Sequence, residues 1–430
     1  MLVSWAAARR SCARRSWRSF AAPALLPLTL ALGACEAGDG YPQTTFRPVS
    51  EFGDILNDVF YNTFGWTMGI LVLVIALILF AAYRFRERPD TPHPEQIHGN
   101  TRLEIAWTIV PAIIVVLMGV PTVKAIFSTQ EEPPAGALEV DVIGHQWWWE
   151  FRYPQYDVVT ANDLVLPVGR PVSLRMHSVD VIHSFWIPKI GGKRDVNPLP
   201  ARPEGVEPKH KNYLLFTVRD EGEYLGQCAE YCGESHAIMR TFTSAVSPEA
   251  FDQWVARMKG QVATAPVTAP GSGVPAGVPA GASPDTIAAP VDGQPAALTA
   301  TPAAQSTIGQ MPVPTGAGNP FRAPMSDSIM IAEGQRIFLA SACIACHAVA
   351  NTTAVGAVGP NLTMLGARKS LGAGAIDMSM ENLVAWIREP QAIKPGTLMP
   401  GTRSGAAGFA ATGLTDTEVR AVAAYLISLK

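Results

Sequence analysis

Cys228-Ala-Glu-Tyr-Cys232-Gly-Glu-Ser-His236-Ala-Ile-Met239 puts two thiols, an imidazole and a thioether into one short stretch. Thiolate and thioether sulfur are soft ligands that suit copper, and imidazole suits it as well. A mononuclear blue-copper site takes one Cys, two His and a weak axial Met, so this stretch has one cysteine too many. Cys228 and Cys232 are four apart, and a single turn aims both sulfurs at one point. Two thiolates bridging two copper ions would use both, with His236 and Met239 finishing one end. The second imidazole must come from elsewhere, and His183, in Val-Ile-His183-Ser-Phe-Trp, is the best candidate. Two plainer readings stand beside this one. The cysteines form a disulfide, as exported segments often do, or Cys-Cys-His with His183 holds a structural zinc, which takes four N/S ligands.

The residues between these groups carry a resemblance. Cys-Ala-Glu-Tyr-Cys-Gly-x-x-His-x-x-Met, preceded by Asp180-Val-Ile-His183-Ser-Phe-Trp, closely resembles the dinuclear copper (CuA) site of cytochrome c oxidase subunit II. The resemblance covers about residues 50 to 260. It implies His183, Cys228, Glu230 (by its backbone carbonyl), Cys232, His236 and Met239 as copper ligands. It also implies a magnesium ion beside the Glu230 carboxylate, at the contact with subunit I.

Around the motif, residues 135–261 read as short strands. Leu138-Glu-Val-Asp-Val-Ile and Val172-Ser-Leu-Arg-Met-His alternate, and Tyr213-Leu-Leu-Phe-Thr-Val and Ala237 to Val246 look similar. Gly, Pro and Asp/Asn breaks separate them, which suggests a β-sandwich. The copper motif then lies between the last two strands, His183 lies on an earlier one, and Pro248 to Met258 closes the unit as an amphipathic helix. The resemblance implies a cupredoxin-like plan. In Gly144-His-Gln-Trp147-Trp148-Trp149-Glu-Phe, three adjacent tryptophans in a strand cannot all face one side. The family has an aromatic at the position of Trp147, where electrons come in at the surface, and that role is carried over to Trp147. Gly192-Lys193-Arg-Asp195 resembles a family loop lying against subunit I. The usual Pro-Gly-Arg after it is here Pro198-Leu-Pro-Ala-Arg202.

Towards the N-terminus, Val59 to Tyr83 and Ile105 to Val123 contain no charged residue. Such lengths cross a bilayer as helices, expected at about 62–83 and 104–126 within a hairpin over 59–127. Arg84, Arg86 and Arg88 lie in the short connection, which places it in the cytoplasm. The stretch 36–58, with Glu51, Asp54 and Asp58, lies outside, on the periplasmic side. Glu104 opens the second helix in Leu-Glu104-Ile-Ala-Trp107-Thr-Ile-Val-Pro111. An acid there reads as an ordinary membrane-edge carboxylate. The family pattern implies instead the cytoplasmic mouth of a proton channel into subunit I. Residues 1–35 form a leader: five arginines, a broken apolar run and Leu32-Gly-Ala-Cys35. The small-small-Cys ending predicts a lipoprotein signal with Cys35 lipidated; an ordinary signal peptidase site is the alternative.

Residues 262–325 are mostly Ala, Pro, Gly, Val and Thr, a composition that buries no core and reads as a linker. Beyond it, over 328–430, Cys343-Ile-Ala-Cys346-His347 is a c-type haem attachment sequence. The thiols bind the haem vinyl groups and His347 becomes an axial ligand. Met399, framed by Lys394-Pro-Gly and Pro400-Gly, is the second ligand; Met364, Met378 and Met380 are rivals. Gly359-Pro-Asn-Leu362, a helix around Trp386 and a last helix over Thr415 to Leu429 resemble class I cytochromes c.

The expected architecture is therefore multidomain: a two-helix transmembrane hairpin, an all-β cupredoxin-like sandwich and an all-α cytochrome c domain. The two resemblances together imply subunit II of a proton-pumping haem–copper oxidase with its own cytochrome c fused behind it. Its cofactors would be the copper pair, one covalent haem c and the interfacial magnesium. Its partners would be subunit I, subunit III and a donor such as the cytochrome bc complex or a cytochrome c. The metal domains would lie on the periplasmic side of a bacterial inner membrane. A net charge of −3 over 430 residues speaks against a nucleic-acid partner. A quinol oxidase subunit, which lacks the copper ligands, is the rival within the family. A stand-alone electron carrier is the rival outside it.

Overall fold

The computed structural model describes residues 43–87, 96, 98–198, 212–260 and 327–430. The leader with Cys35, the linker 262–325 and most of Pro198 to Arg202 lie outside the described residues. Two long helices, α1 (Glu51–Arg84) and α2 (Thr101–Ser128), bury nothing in their apolar windows. Leu73, Ile78, Leu79, Val115 and Val116 are all more than half exposed. Water does not tolerate an apolar surface of that extent, and lipid accounts for it.

α1 starts at Glu51, well before the expected residue 62, so the last part of 36–58 is helical. The cause is local. The Ser50 side chain accepts from the Gly53 N–H, and Glu51 and Asp54 stand in the positive first turn. With 34 residues, α1 is about 51 Å long at 1.5 Å per residue, more than the ~30 Å hydrocarbon layer requires. The surplus packs on the sandwich. Phe52 and Gly53 are buried, Arg219 pairs with Asp54, and Val49 exchanges backbone bonds with Lys189 and Arg219 at 3.0 and 2.8 Å. α2 starts at Thr101, three residues before the expected position. Asn100 caps it, and Glu104 Oε1 accepts from the Asn100 N–H at 3.2 Å.

The sandwich has two five-stranded sheets, in the orders β3-β2-β1-β5-β8 and β4-β10-β9-β6-β7. The first holds β1 (Leu138–His145), β2 (Trp148–Tyr153), β3 (Val158–Ala161), β5 (Pro171–Ser178) and β8 (Tyr213–Thr217). The second holds β4 (Asp163–Pro167), β6 (His183–Trp186), β7 (Arg194–Val196), β9 (Gly222–Cys228) and β10 (Arg240–Val246). β1 with β5 and β4 with β10 pair in parallel, and the other pairs are antiparallel. Inward residues of both sheets, among them Leu138, Trp149, Phe151, Leu164, Leu174 and Phe185, form one core. Helix α3 (Pro248–Gly260) closes it with Phe251 and Val255. The expected strand from Ala237 starts only at Arg240, because His236–Ile238 winds into a 3₁₀ turn.

Behind these lie α4 (Asp327–Ala340), the single turn α5 (Cys343–Cys346), α6 (Met380–Arg388), the short α7 (Pro390–Ile393) and α8 (Asp416–Ser428). A small ribbon, β11 (Ser370–Leu371) with β12 (Ile376–Asp377), joins them. α4 and α8 pack through Phe338 and Tyr425 over a second core. Thr415 and Glu418 make a reciprocal capping box on α8.

One buried side chain ties the two sheets of the sandwich together. Tyr153 on β2 donates its hydroxyl to the Val165 carbonyl and accepts from the Val165 N–H, both at 3.0 Å. Tyr153→Phe leaves both backbone groups of β4 unpaired and is expected to cost about 2 kcal/mol. A lowered thermal midpoint of the purified chain measures it.

Candidate copper and haem centres

β9 ends at Cys228 and β10 begins at Arg240, and the intervening loop is closed at its neck by Cys228 N–H to Met239 O, 2.9 Å. Cys228 pairs with Phe185 of β6, which brings in His183 at the start of that strand. The sulfurs of Cys228 and Cys232 come to 3.7 Å and both cysteines are free. A disulfide needs about 2.05 Å, so the disulfide reading falls. His183 Nδ1 lies 3.9 Å from the Cys228 sulfur and His236 Nδ1 lies 3.6 Å from that of Cys232. Met239 Sδ is 3.8 Å from the Cys232 sulfur, and the Glu230 carbonyl is 3.3 Å from that of Cys228. Each sulfur therefore has an imidazole and a weaker third donor at its side. Four donors around two central sulfurs make six in all, which exceeds a four-ligand zinc tetrahedron and suits a pair of soft ions. The Glu230 side chain is exposed.

The electrostatics of the sulfur pair point the same way. A hydrogen bond from Cys232 brings the Cys228 thiol down against the effect of burial, and His183 adds to the lowering. Cys232 is pushed up by its bond to Cys228 and by burial. A metal held by both sulfurs would displace their protons.

Asp180, three residues before His183, holds the imidazole. Its Oδ1 meets His183 Nε2 at 2.8 Å, which leaves Nδ1 for the sulfur side. The same carboxylate accepts from the Val181 and Gln146 N–H groups at 2.7 and 2.6 Å. Burial opposes these bonds, yet they hold Asp180 below the usual carboxylate range. The acid-to-His spacing of three was a usable sequence signal.

The three tryptophans separate. Trp149 is fully buried against His183 and Phe185. Trp148 stacks on His145 with centroids 4.0 Å apart. Trp147 is not in a strand; it lies in the turn between β1 and β2. Its indole N–H donates to the Cys232 carbonyl at 2.9 Å, and Gln146 Nε2 donates to the same oxygen at 2.7 Å. Trp147 is also not at the surface. It is 8% exposed, packed between the Cys232–Gly233 turn and Gly396 of the C-terminal domain.

In that domain His347 follows α5, its N–H bonded to the Cys343 carbonyl at 3.0 Å. A carbonyl only accepts, so the 2.8 Å contact with Pro360 O makes Nδ1 the protonated nitrogen. Nε2 keeps its lone pair, which is what binding a metal requires, and burial lowers the pKa of the ring. A Cβ on Gly359 would come within 2.7 Å of the His347 ring, so only glycine lets that loop lie on the imidazole. Cys343 and Cys346 are half-buried free thiols with raised pKa, burial being the main cause. Met399 is half-buried against the helical core, as are Met378 and Met380, whereas Met364 packs on the sandwich. Glu104 stands apart at the start of α2, where it acts as a cap.

A soft donor cluster on a β-sandwich, a membrane hairpin before it and a haem-attachment domain behind it define a membrane-bound electron-transfer protein. Family profiles match three segments. Residues 50–125 fit the cytochrome c oxidase subunit II transmembrane domain, 157–246 its periplasmic domain, and 331–430 cytochrome c. The chain is 30% identical over 435 residues to cytochrome c oxidase subunit 2 of Bacillus sp. strain PS3, covering 96% of this chain and 98% of that protein. It is 31% identical over 368 residues to the subunit of the same name from Alkalihalophilus pseudofirmus, covering 84% and 83%. Quinol oxidase subunit 2 of Bacillus cereus is 35% identical over 210 residues, 46% of this chain and 68% of that protein. The chain belongs to the cytochrome c oxidase subunit II family and carries a cytochrome c domain at its C-terminal end. Membership brings copper to the sandwich, haem to the helical domain and a bacterial membrane to the hairpin, with the sandwich on the outer side.

Replacing Asp180 by Ala removes the partner that orients His183. Copper affinity is expected to fall about 10- to 100-fold, read by chelator competition on the purified chain, with the sandwich still folded by circular dichroism.

Proposed function

We propose that this chain takes up electrons at its haem domain and hands them, by way of its copper domain, to the oxygen-reducing subunit I of a haem–copper oxidase. In this reading Cys343 and Cys346 anchor one haem c, and His347 and Met399 are its axial ligands. His183, Cys228, the Glu230 carbonyl, Cys232, His236 and Met239 hold two copper ions. When bound, the two groups supply one-electron redox stations. The polypeptide fixes their donors on a rigid sandwich and in Pro-Gly-framed loops, so that no ligand has to move when charge changes.

The observation that carries the reading is the position of Trp147. Its N–H holds the Cys232 carbonyl at 2.9 Å. Its ring edge lies so close to Gly396, in the Met399 loop, that an added Cβ would stand 2.6 Å away. One aromatic side chain thus touches both metal-holding loops. This supports carrying over to Trp147 the role of electron relay. The full copper donor set favours a cytochrome c oxidase over a quinol oxidase.

Subunits I and III are the assigned membrane partners, and the cytochrome bc complex or a cytochrome c is the donor. Oxygen reduction and coupled proton translocation belong to subunit I. Glu104 is assigned to the cytoplasmic mouth of a proton channel, and the exposed Glu230 carboxylate to a magnesium ion at the subunit I contact. Cys35 remains proposed as a lipid anchor.

Metal analysis with optical and paramagnetic spectra tests the cofactors. Two coppers sharing one unpaired electron and one c-type haem per chain are expected; zinc, or a single intensely blue copper, overturns the reading. Glu104→Gln keeps an acceptor for the Asn100 cap, so the helix start should persist. Turnover of the assembled oxidase is expected to slow with the copper signal unaltered, and unchanged turnover removes Glu104 from the proton path.

A further inference from the structure

The seam between the copper and haem domains holds a buried lysine that neither set of metal donors uses. Lys394 is 3% exposed. Its Nζ donates to the carbonyls of Trp147 at 2.5 Å, Gly372 at 2.6 Å and Ile238 at 3.1 Å. An ammonium carries three hydrogens, and these three acceptors take them all. Burial pushes its pKa down to about 7. An amine in such a place is costly unless its donors are satisfied, and here all the acceptors are backbone.

The acceptors come from three significant places. Trp147 is the residue lying between the two metal-holding loops. Ile238 directly precedes Met239 in the turn that begins at His236. Gly372 belongs to the β11–β12 turn of the haem domain itself. Lys394 opens the segment Lys-Pro-Gly-Thr-Leu-Met399. Next to it, Ser235 donates to the Pro395 carbonyl at 2.6 Å, and Arg240 N–H donates to Ala373 O at 2.9 Å. Gly396 adopts φ +79°, where a side chain would be strained as well as in contact with Trp147. Leu398, beside Met399, and Val358, beside Gly359, line one cleft together with Gln146 and Trp148 of the sandwich. Both loops that flank the haem position therefore face the copper domain.

We propose that Lys394 is a positioning residue in docking the haem domain on the copper domain, holding the Met399 loop against Trp147. This rests on the reading that electrons pass between the two domains, and it adds a group that helps fix their separation. Two of the three acceptors are on the sandwich, so the clamp exists only in the docked arrangement. The rim contact Lys369–Glu223, 2.9 Å with both side chains more than half exposed, is of the kind that contributes little.

The test uses the full chain in its oxidase complex. Lys394→Met keeps the length of the side chain and removes its donors. Hydrogen exchange is followed over 144–149, 236–241 and 394–399, and electron equilibration between haem and copper is timed as a function of solvent viscosity. In the unaltered protein these segments should be protected and the rate independent of viscosity. In Lys394→Met, protection and rate should both fall about tenfold or more and the rate should become viscosity-dependent, with haem and copper spectra unchanged. Unaltered protection and rate in the variant overturn the proposal. So does loss of Met ligation in its haem spectrum, which would place the effect inside the loop. A viscosity-dependent rate in the unaltered protein overturns it without any variant. If protection responds to Lys394→Met but no electron passes in the unaltered protein, the docking role stands and the functional reading falls.

Discussion

Two cysteine sulfurs held 3.7 Å apart with no covalent bond between them set the terms for the rest of the molecule. Two thiolates that close, largely shielded from water, repel unless a proton or a cation lies between them. The pair therefore has to be imposed by its surroundings. Cys228 is fixed by the ladder to β6 and by the neck bond to Met239 O. Cys232 is fixed through its carbonyl, which takes hydrogen bonds from both Gln146 and Trp147. Those two residues sit in a turn that Asp180 also holds, and Asp180 in turn orients His183. Cys228, Cys232 and His183 are thus all tied by hydrogen bonds to the same end of the sandwich.

The same economy explains the three tryptophans. Trp149 fills the core beneath His183, Trp148 stacks over His145, and Trp147 reaches from the cluster to the haem domain. A run of large aromatics in one hairpin gives a stiff, apolar wall on one side of the metal position and a contact surface on the other. The haem domain closes that surface. Trp147 is buried between the Cys232–Gly233 turn and Gly396 of that domain, whereas the resemblance led to the expectation of an exposed position.

Much of this was legible in the sequence, for identifiable reasons. Helices that must cross lipid advertise themselves by uninterrupted apolar length, and the haem-attachment motif is contiguous. Strand alternation marked β1, β5 and β8. What failed were element boundaries set by caps and the packing between distant segments that no motif marks. The start of α1 moved to Glu51 because Ser50 caps it and the sandwich receives its first turn; hydropathy registers neither. The strand expected from Ala237 begins later because the Cys-to-Met loop needs a tight turn to bring His236 and Met239 inward. Lys394 gave no signal at all. A lone lysine before Pro-Gly reads as a solvated loop residue, and only the fold supplies carbonyls from Trp147 and Ile238, far away in the chain.

That buried lysine bears on why the two domains share one chain. A tether raises the local concentration of the haem domain at the sandwich without choosing its orientation. Surface charge pairs such as Lys369 with Glu223 steer but hold weakly, and salt screens them. Orientation has to come from contacts that fail when misaligned. A buried donor with three fixed acceptors is such a contact, because any displacement strands its hydrogens away from water. Gly396 adds a steric condition, since its missing side chain is what allows the Met399 loop to lie against the Trp147 ring. Tethering thus sets how often the domains meet, and the seam sets which of their encounters brings the Cys228–Met239 loop and the Met399 loop onto the same tryptophan.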